Sequence, residues 1–179
     1  LETASALANT FDKKVLLVDA NFSAPNIGLY LDLTKDYTLQ DSLSSKALLQ
    51  NAIYESHGID IIPSSLNYHK EADPYKLKTL LQKYKNRYDF IILDSSPNYE
   101  ELKPIIAASD KIFLVTSPDN VTLQTTLKAA RVAKEQKTPI LEPSTECSEC
   151  QYYERCFMKK KNTKQLNLAE MLGFGDKKD

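Results

Sequence analysis

Two aspartates, Asp19 and Asp94, each close a run of apolar residues: KVLLVD over 14–19 and FIILD over 90–94. A carboxylate at the edge of an apolar core is costly unless something cationic or hydrogen-bonding meets it. Polar loops follow both, ANFSAPN and SSPN. One such Asp can simply close a turn. Two of them, each at a strand end, point to a hydrated divalent cation and phosphate, because hard cations take oxygen ligands and Mg²⁺ usually keeps several waters. A second group is Cys147, Cys150 and Cys156, spaced C-x₂-C-x₅-C in ECSECQYYERC. Two thiolates at C-x₂-C spacing curl toward one centre and the five-residue gap lets the third return, which suits Zn²⁺ or an iron–sulfur cluster. The sequence has no fourth cysteine, so His57, His69 or a ligand from elsewhere would complete a Zn²⁺ site. The alternative for these cysteines is free surface thiols.

The elements that must position these groups follow from hydrophobic pattern. Unalternating apolar runs near 14–19, 59–63, 89–94 and 111–116 read as strands covered on both faces. Helical spacing marks Leu1–Phe11, Leu39–Ile53 (capped near Thr38 or Asp41), a segment opened by Asp73-Pro74 and running through Leu77, Leu80, Leu81 and Tyr84, then Glu100–Ala108 and Leu123–Gln136. Strands alternating with helices predict an α/β fold: a doubly wound, mostly parallel sheet with helices on both faces. In such a sheet the C-terminal strand ends share one edge, where ligands bind, so Asp19 and Asp94 are expected to meet there. After Ile140 the texture turns to polar residues, cysteines and lysines, predicting a nucleotide-binding-type unit over 1–140 and a small cysteine-bearing extension over 141–179.

Composition narrows the function classes. With 42% hydrophobic and 26% charged residues and a net charge of −1, the chain reads as an ordinary globular protein without a global basic field for nucleic acid. No apolar stretch reaches membrane-spanning length, and an odd cysteine count suits a reducing cytoplasm better than an exported disulfide framework. Tyr152 and Tyr153 beside Arg155 and Lys159–Lys161 could stack on a single-stranded nucleic acid, although a solvated basic patch is the simpler reading. The tail LNLAEMLGF has weak helical amphipathicity interrupted by Glu170, leaving only a weak case for membrane contact. His57, before Gly58 in a turn, and His69, in a polar loop, have no neighbouring Ser or Cys to suggest nucleophilic catalysis.

The run KKVLLVDANFSAPNIGLYLDL, followed in order by IDIIPSS, YDFIILDSSP and IFLVTSPDNVTLQTTLKAARVAK, resembles the MinD/ParA group of deviant P-loop ATPases over residues 1–140. The resemblance implies ATP and Mg²⁺ as ligands. It gives Asp19 the role of positioning the attacking water and coupling to dimerisation, and places Asn21, Ser23 and Asn26 in a first switch near the phosphates. Asp94 becomes the Walker B carboxylate holding Mg²⁺ through a water, with Ser95, Ser96 and Pro97 sensing the γ-phosphate. It further implies an ATP-dependent homodimer that positions or partitions a protein partner or cargo.

Two departures from the family pattern stand out. The Gly-rich K-G-G-x-G-K-[ST] phosphate loop is missing, the only glycines being Gly28, Gly58, Gly173 and Gly175. The segment KTPI runs into LEPSTECSEC instead of the family's adenine-reading strand. By the family's spacing the phosphate loop ends just upstream of Leu1, together with the central strand that leads into it. The expectation is therefore a partial ATPase unit that binds ATP feebly as printed. The alternative is a degenerate paralogue acting as a non-catalytic pseudo-ATPase interaction module. The cysteine spacing resembles the C-terminal iron–sulfur motif of RecB-like nucleases.

Overall fold

A computed structural model describes residues 1–139 apart from 34, 68–70, 97 and 116–119. Its centre is β1 (Val15–Ala20), all six residues of which are buried. Strand β1 runs parallel to β3 (Ile59–Ile62) on one side and to β4 (Phe90–Ser95) on the other. A short β2 (Tyr54–Ser56) lies antiparallel to β3, giving a mixed sheet of order β2-β3-β1-β4.

Alternation along β1 divides the core into two layers. Leu16, Val18 and Ala20 pack with Ile62 against Leu39, Leu43, Leu77, Leu81 and Ile105. Val15 and Leu17 point the other way, with Ile59 and Ile61, onto Ala4 and Ile27. The first layer is covered by α3 (Leu39–Leu43), α4 (Leu77–Gln82) and α5 (Tyr99–Ala108), the second by α1 (Glu2–Asn9) and α2 (Ile27–Tyr30). Helices this short are marginal by themselves in water. Each fully buried Leu or Ile contributes ~1.5–3 kcal/mol relative to exposure, so the packing holds the helices rather than the reverse. Helix α6 (Asn120–Glu135) joins through Val132 and Ala133 against Leu102 and Ile106 of α5. None of the described helices is long and apolar enough to cross a membrane.

The doubly wound arrangement with helices on both faces is as the sequence pattern predicts, and three local expectations change. The helix expected over 39–53 stops at Leu43. Ser44 Oγ turns back to the carbonyls of Gln40 and Asp41, and Ser45 takes a left-handed φ of 63°, so the chain resumes only as a 3₁₀ turn at Leu49–Ala52. The strand expected over 111–116 is reduced, among the described residues, to a bridge in which Ile112 N–H donates to Pro139 O at 3.0 Å. An apolar run becomes a strand only where a neighbour accepts its backbone, and Phe113 and Val115 instead stand 77% and 88% exposed. Strand β2 was not expected at all; it pairs with β3 through a His57-Gly58 turn with φ of 55° and 76°, the left-handed pair that favours tight hairpins. Cys147, Cys150, Cys156 and the 141–179 extension lie outside the described residues, as do His69 and Pro97.

Candidate functional site

The register of β1 and β4 sets Asp19 directly opposite Asp94, with Ala20 opposite Ser95. Neighbouring strands lie about 4.8 Å apart, so the two carboxylate-bearing residues are adjacent at the C-terminal edge of the sheet. Both sit on the parity of Leu17 and Ile92, the face that α1 and α2 cover.

Their environments differ sharply. Asp19 is fully buried. Its Oδ1 accepts Asn21 N–H at 3.2 Å, and its Oδ2 accepts the N–H groups of Asn26 at 3.2 Å and Ile27 at 3.1 Å. Burial pushes its carboxyl above the ordinary range, and the neighbouring Asp94 charge adds to that, against the pull of the Ile27, Asn21 and Asn26 amides. The Asp19 carbonyl in turn accepts Ser64 Oγ at 2.5 Å, which ties the segment after β3 into the same corner. Asp19 therefore folds the loop that follows it: its oxygens are committed to backbone donors from both ends of residues 21–27. Asp94 is exposed, and its carboxylate makes no hydrogen bond or ion pair with any of the described residues. It is the carboxylate with lone pairs to offer a hydrated cation.

The other expected residues sit around this pair. Asn21 caps its own loop, Oδ1 accepting Ala24 N–H at 3.1 Å. Asn26 is exposed at the start of α2, and Ser95 is exposed at the end of β4. Ser96 is buried, its Oγ accepting Asn98 N–H at 2.9 Å. Ser23 meets two residues that the sequence pattern did not single out: its hydroxyl donates to Glu101 Oε1 and accepts from Asn98 Nδ2 at 3.3 Å. The available signal was N-x-x-E in NYEE over 98–101, a helix-start pattern, with Asn98 the N-cap of α5. Among the described residues no three His, Cys, Asp or Glu side chains gather as a ready-made metal cage. An open polar cleft of about 810 Å³, lined by residues such as Asn9, Lys13, Asp60 and Tyr88, opens near Val15, the N-terminal end of β1. It lies at the sheet end opposite Asp19.

An uncharacterised ATP-binding protein of Methanocaldococcus jannaschii is 32% identical over 143 residues, covering 77% of this chain and 54% of that one. The septum site-determining protein MinD of Synechocystis is 27% identical over 114 residues, covering 60% of this chain and 43% of that one. The chain spans about half the length of the curated relatives it matches. Among solved structures, the cell division ATPase MinD of Pyrococcus furiosus superposes with a TM-score of 0.68 at 27% identity, covering 77% of this chain and 61% of that one. MinD of Pyrococcus horikoshii, solved with Mg-ADP, gives 0.68 at 28% identity, covering 77% and 59%. Residues 1–140 match the AAA domain family model, and with these relatives the chain belongs to the MinD/ParA-like group of P-loop ATPases.

Proposed function

We propose that this chain carries the switch loops of a MinD/ParA-type ATPase that binds and hydrolyses Mg²⁺-ATP, dimerises with ATP, and uses that cycle to position or partition a partner protein in the cytoplasm. The observation that carries this reading is the in-register pair Asp19 and Asp94 at the ligand-binding edge of the parallel strands, each followed by a loop. The Mg-ADP bound to the similar Pyrococcus horikoshii protein supports the choice of ligand.

Asp94, exposed and unengaged, would hold Mg²⁺ through a water, and the ion's chemistry is to neutralise charge on the phosphates. Asp19 acts through the loop it folds: with its oxygens taken by backbone N–H groups, it fixes where Asn21, Ser23 and Asn26 stand. Its part in ordering the attacking water is thus one of positioning. By the family resemblance, Ser95, Ser96 and Pro97 would sense the γ-phosphate. The sequence contains no K-G-G-x-G-K-[ST] loop. Backbone N–H groups of such a loop supply most of the oriented phosphate donors, so nucleotide binding by the printed residues alone is expected to be feeble. Cys147, Cys150 and Cys156 would add a Zn²⁺ or iron–sulfur site in the 141–179 extension. Elemental analysis and a visible spectrum of anaerobically purified protein distinguish these two from free thiols.

Hydrolysis assays with separate binding titrations test the reading. In protein extended upstream by the phosphate loop, Asp94→Asn should weaken Mg²⁺-dependent nucleotide binding, whereas Asp19→Ala should chiefly remove turnover. Turnover unchanged in Asp19→Ala would refute the role given to Asp19, and no turnover above background in the unsubstituted protein would instead favour a pseudo-ATPase interaction module.

A further inference from the structure

Glu101 occupies the first turn of α5, where an acid ordinarily needs no explanation beyond the partial positive charge of a helix N-terminus. Its carboxylate, however, is spent on a loop 78 residues away in sequence. Oε2 accepts the N–H groups of Phe22 at 3.1 Å and Ser23 at 3.4 Å, while Oε1 accepts the Ser23 hydroxyl. Asn98 Nδ2 donates to Ser23 Oγ at 3.3 Å and to Glu101 Oε1 at 3.4 Å, closing a small network. Asn98 is itself tied to Ser96 Oγ.

The loop after β1 is thus held at two points. Asp19 anchors its ends from inside the sheet, through Asn21, Asn26 and Ile27. Glu101 holds its middle from α5, and the Phe22 ring packs on the same core layer as Ile105 of that helix. Charge-assisted bonds of this kind are roughly twice as strong as neutral ones. We propose that Glu101 is a positioning residue that couples the two loops, so that a displacement of Ser96 and Asn98 is carried to Phe22 and Ser23 and the reverse. This rests on reading the two loops as the nucleotide-sensing segments. If they are, a phosphate or cation met by one loop is registered by the other without touching it.

Native-state amide hydrogen exchange on the nucleotide-free chain tests the coupling separately from any ATPase activity. Glu101→Ala should speed exchange at Phe22 and Ser23 by about tenfold to a hundredfold, as expected for losing hydrogen bonds to a charged acceptor. Glu101→Gln, which keeps an acceptor oxygen, should fall between. Ser96→Ala, which perturbs only the second loop directly, should speed exchange at Phe22 and Ser23 when Glu101 is present and add nothing in the Glu101→Ala background. A retained cooperative urea transition with unchanged slope, and native circular dichroism, would show that the variants remain folded. If Glu101 serves α5 alone, Glu101→Ala will fray residues 99–102 and leave Phe22 and Ser23 untouched, which overturns the proposal. Additive effects of Ser96→Ala and Glu101→Ala at Phe22 and Ser23 also overturn it. A failed hydrolysis assay alongside intact coupling would count against the ATPase reading and not against the latch.

Discussion

Asp19 and Asp94 stand side by side in register, yet their removal should have very different consequences for folding. Truncating Asp19 to Ala strips the acceptor from three backbone N–H groups. The Ile27 N–H is buried, and leaving such a donor unsatisfied costs about 1–3 kcal/mol. The Asn21 and Asn26 amides are only partly buried and can turn to water, so each lost bond costs ~0.5–1.5 kcal/mol. Relief from burying a charge opposes this, and burial is the largest cause of the raised Asp19 carboxyl. The net expectation is a loss of about 2–4 kcal/mol for Asp19→Ala. For Asp19→Asn, which keeps one oxygen, it is about 1–2 kcal/mol. Urea unfolding followed by circular dichroism reads this directly: with a slope of about 1–3 kcal/mol/M, the Ala midpoint should fall by roughly 1–2 M at constant slope. Asp94→Ala, an exposed change, should stay within about 0.5 kcal/mol of wild type. Equal small effects at both positions would refute the idea that Asp19 is the loop's anchor.

Two further outcomes follow from other parts of the fold. Gly58→Ala should cost about 1–2 kcal/mol in the same urea assay, because Gly58 has φ +76° and an added Cβ would lie 2.7 Å from Asn9 Oδ1. It should also loosen the Asn9 bond to His57 O at 3.1 Å. Tyr88 is held protonated above its ordinary value of 10.0, by burial and then by donating to Asp60 at 2.7 Å. Above that value the unfolded chain loses a proton the folded chain keeps, so stability should fall as pH rises past about 10. Tyr88→Phe should flatten that part of the pH–stability curve; an unchanged slope would contradict the assignment.

Much of this architecture was legible because solid apolar runs mark strands even where burial is incomplete: β1 is buried throughout, whereas β4 is exposed at both ends and half-buried between. VLLVDA and FIILDS are such runs, and each carries an Asp one residue before its end, which is why Asp19 and Asp94 stand out in the sequence. Their meeting at one edge then followed from topology, since parallel neighbours end on the same edge, whereas their one-to-one register came only with the fold. What could not be read depends on partners distant in sequence. The IFLV run at 112–115 is as apolar as β1, yet no neighbouring strand accepts its backbone among the described residues. Tyr54-Glu55-Ser56 has only one apolar residue and owes its strand to pairing with β3. Two adjacent serines broke the 39–53 helix by local hydrogen bonding, which competes with helix in a way that apolar spacing does not register. Glu101 was hidden for a different reason: a first-turn acid is expected at any helix start, and only the fold reveals that its acceptors serve another loop.

The central claim is that a Mg²⁺-nucleotide site lies at the Asp19–Asp94 edge of the sheet. Backbone amide NMR of the chain titrated with Mg-ADP into the millimolar range, with and without Asp94→Asn, tests it most directly, because even feeble binding moves resonances. The account predicts Mg²⁺-dependent shifts concentrated in residues 19–27 and 94–101, largely abolished by Asp94→Asn. Shifts centred instead on Asn9, Lys13, Asp60 and Tyr88, in the cleft near the opposite end of β1, or shifts indifferent to Asp94→Asn, would contradict it.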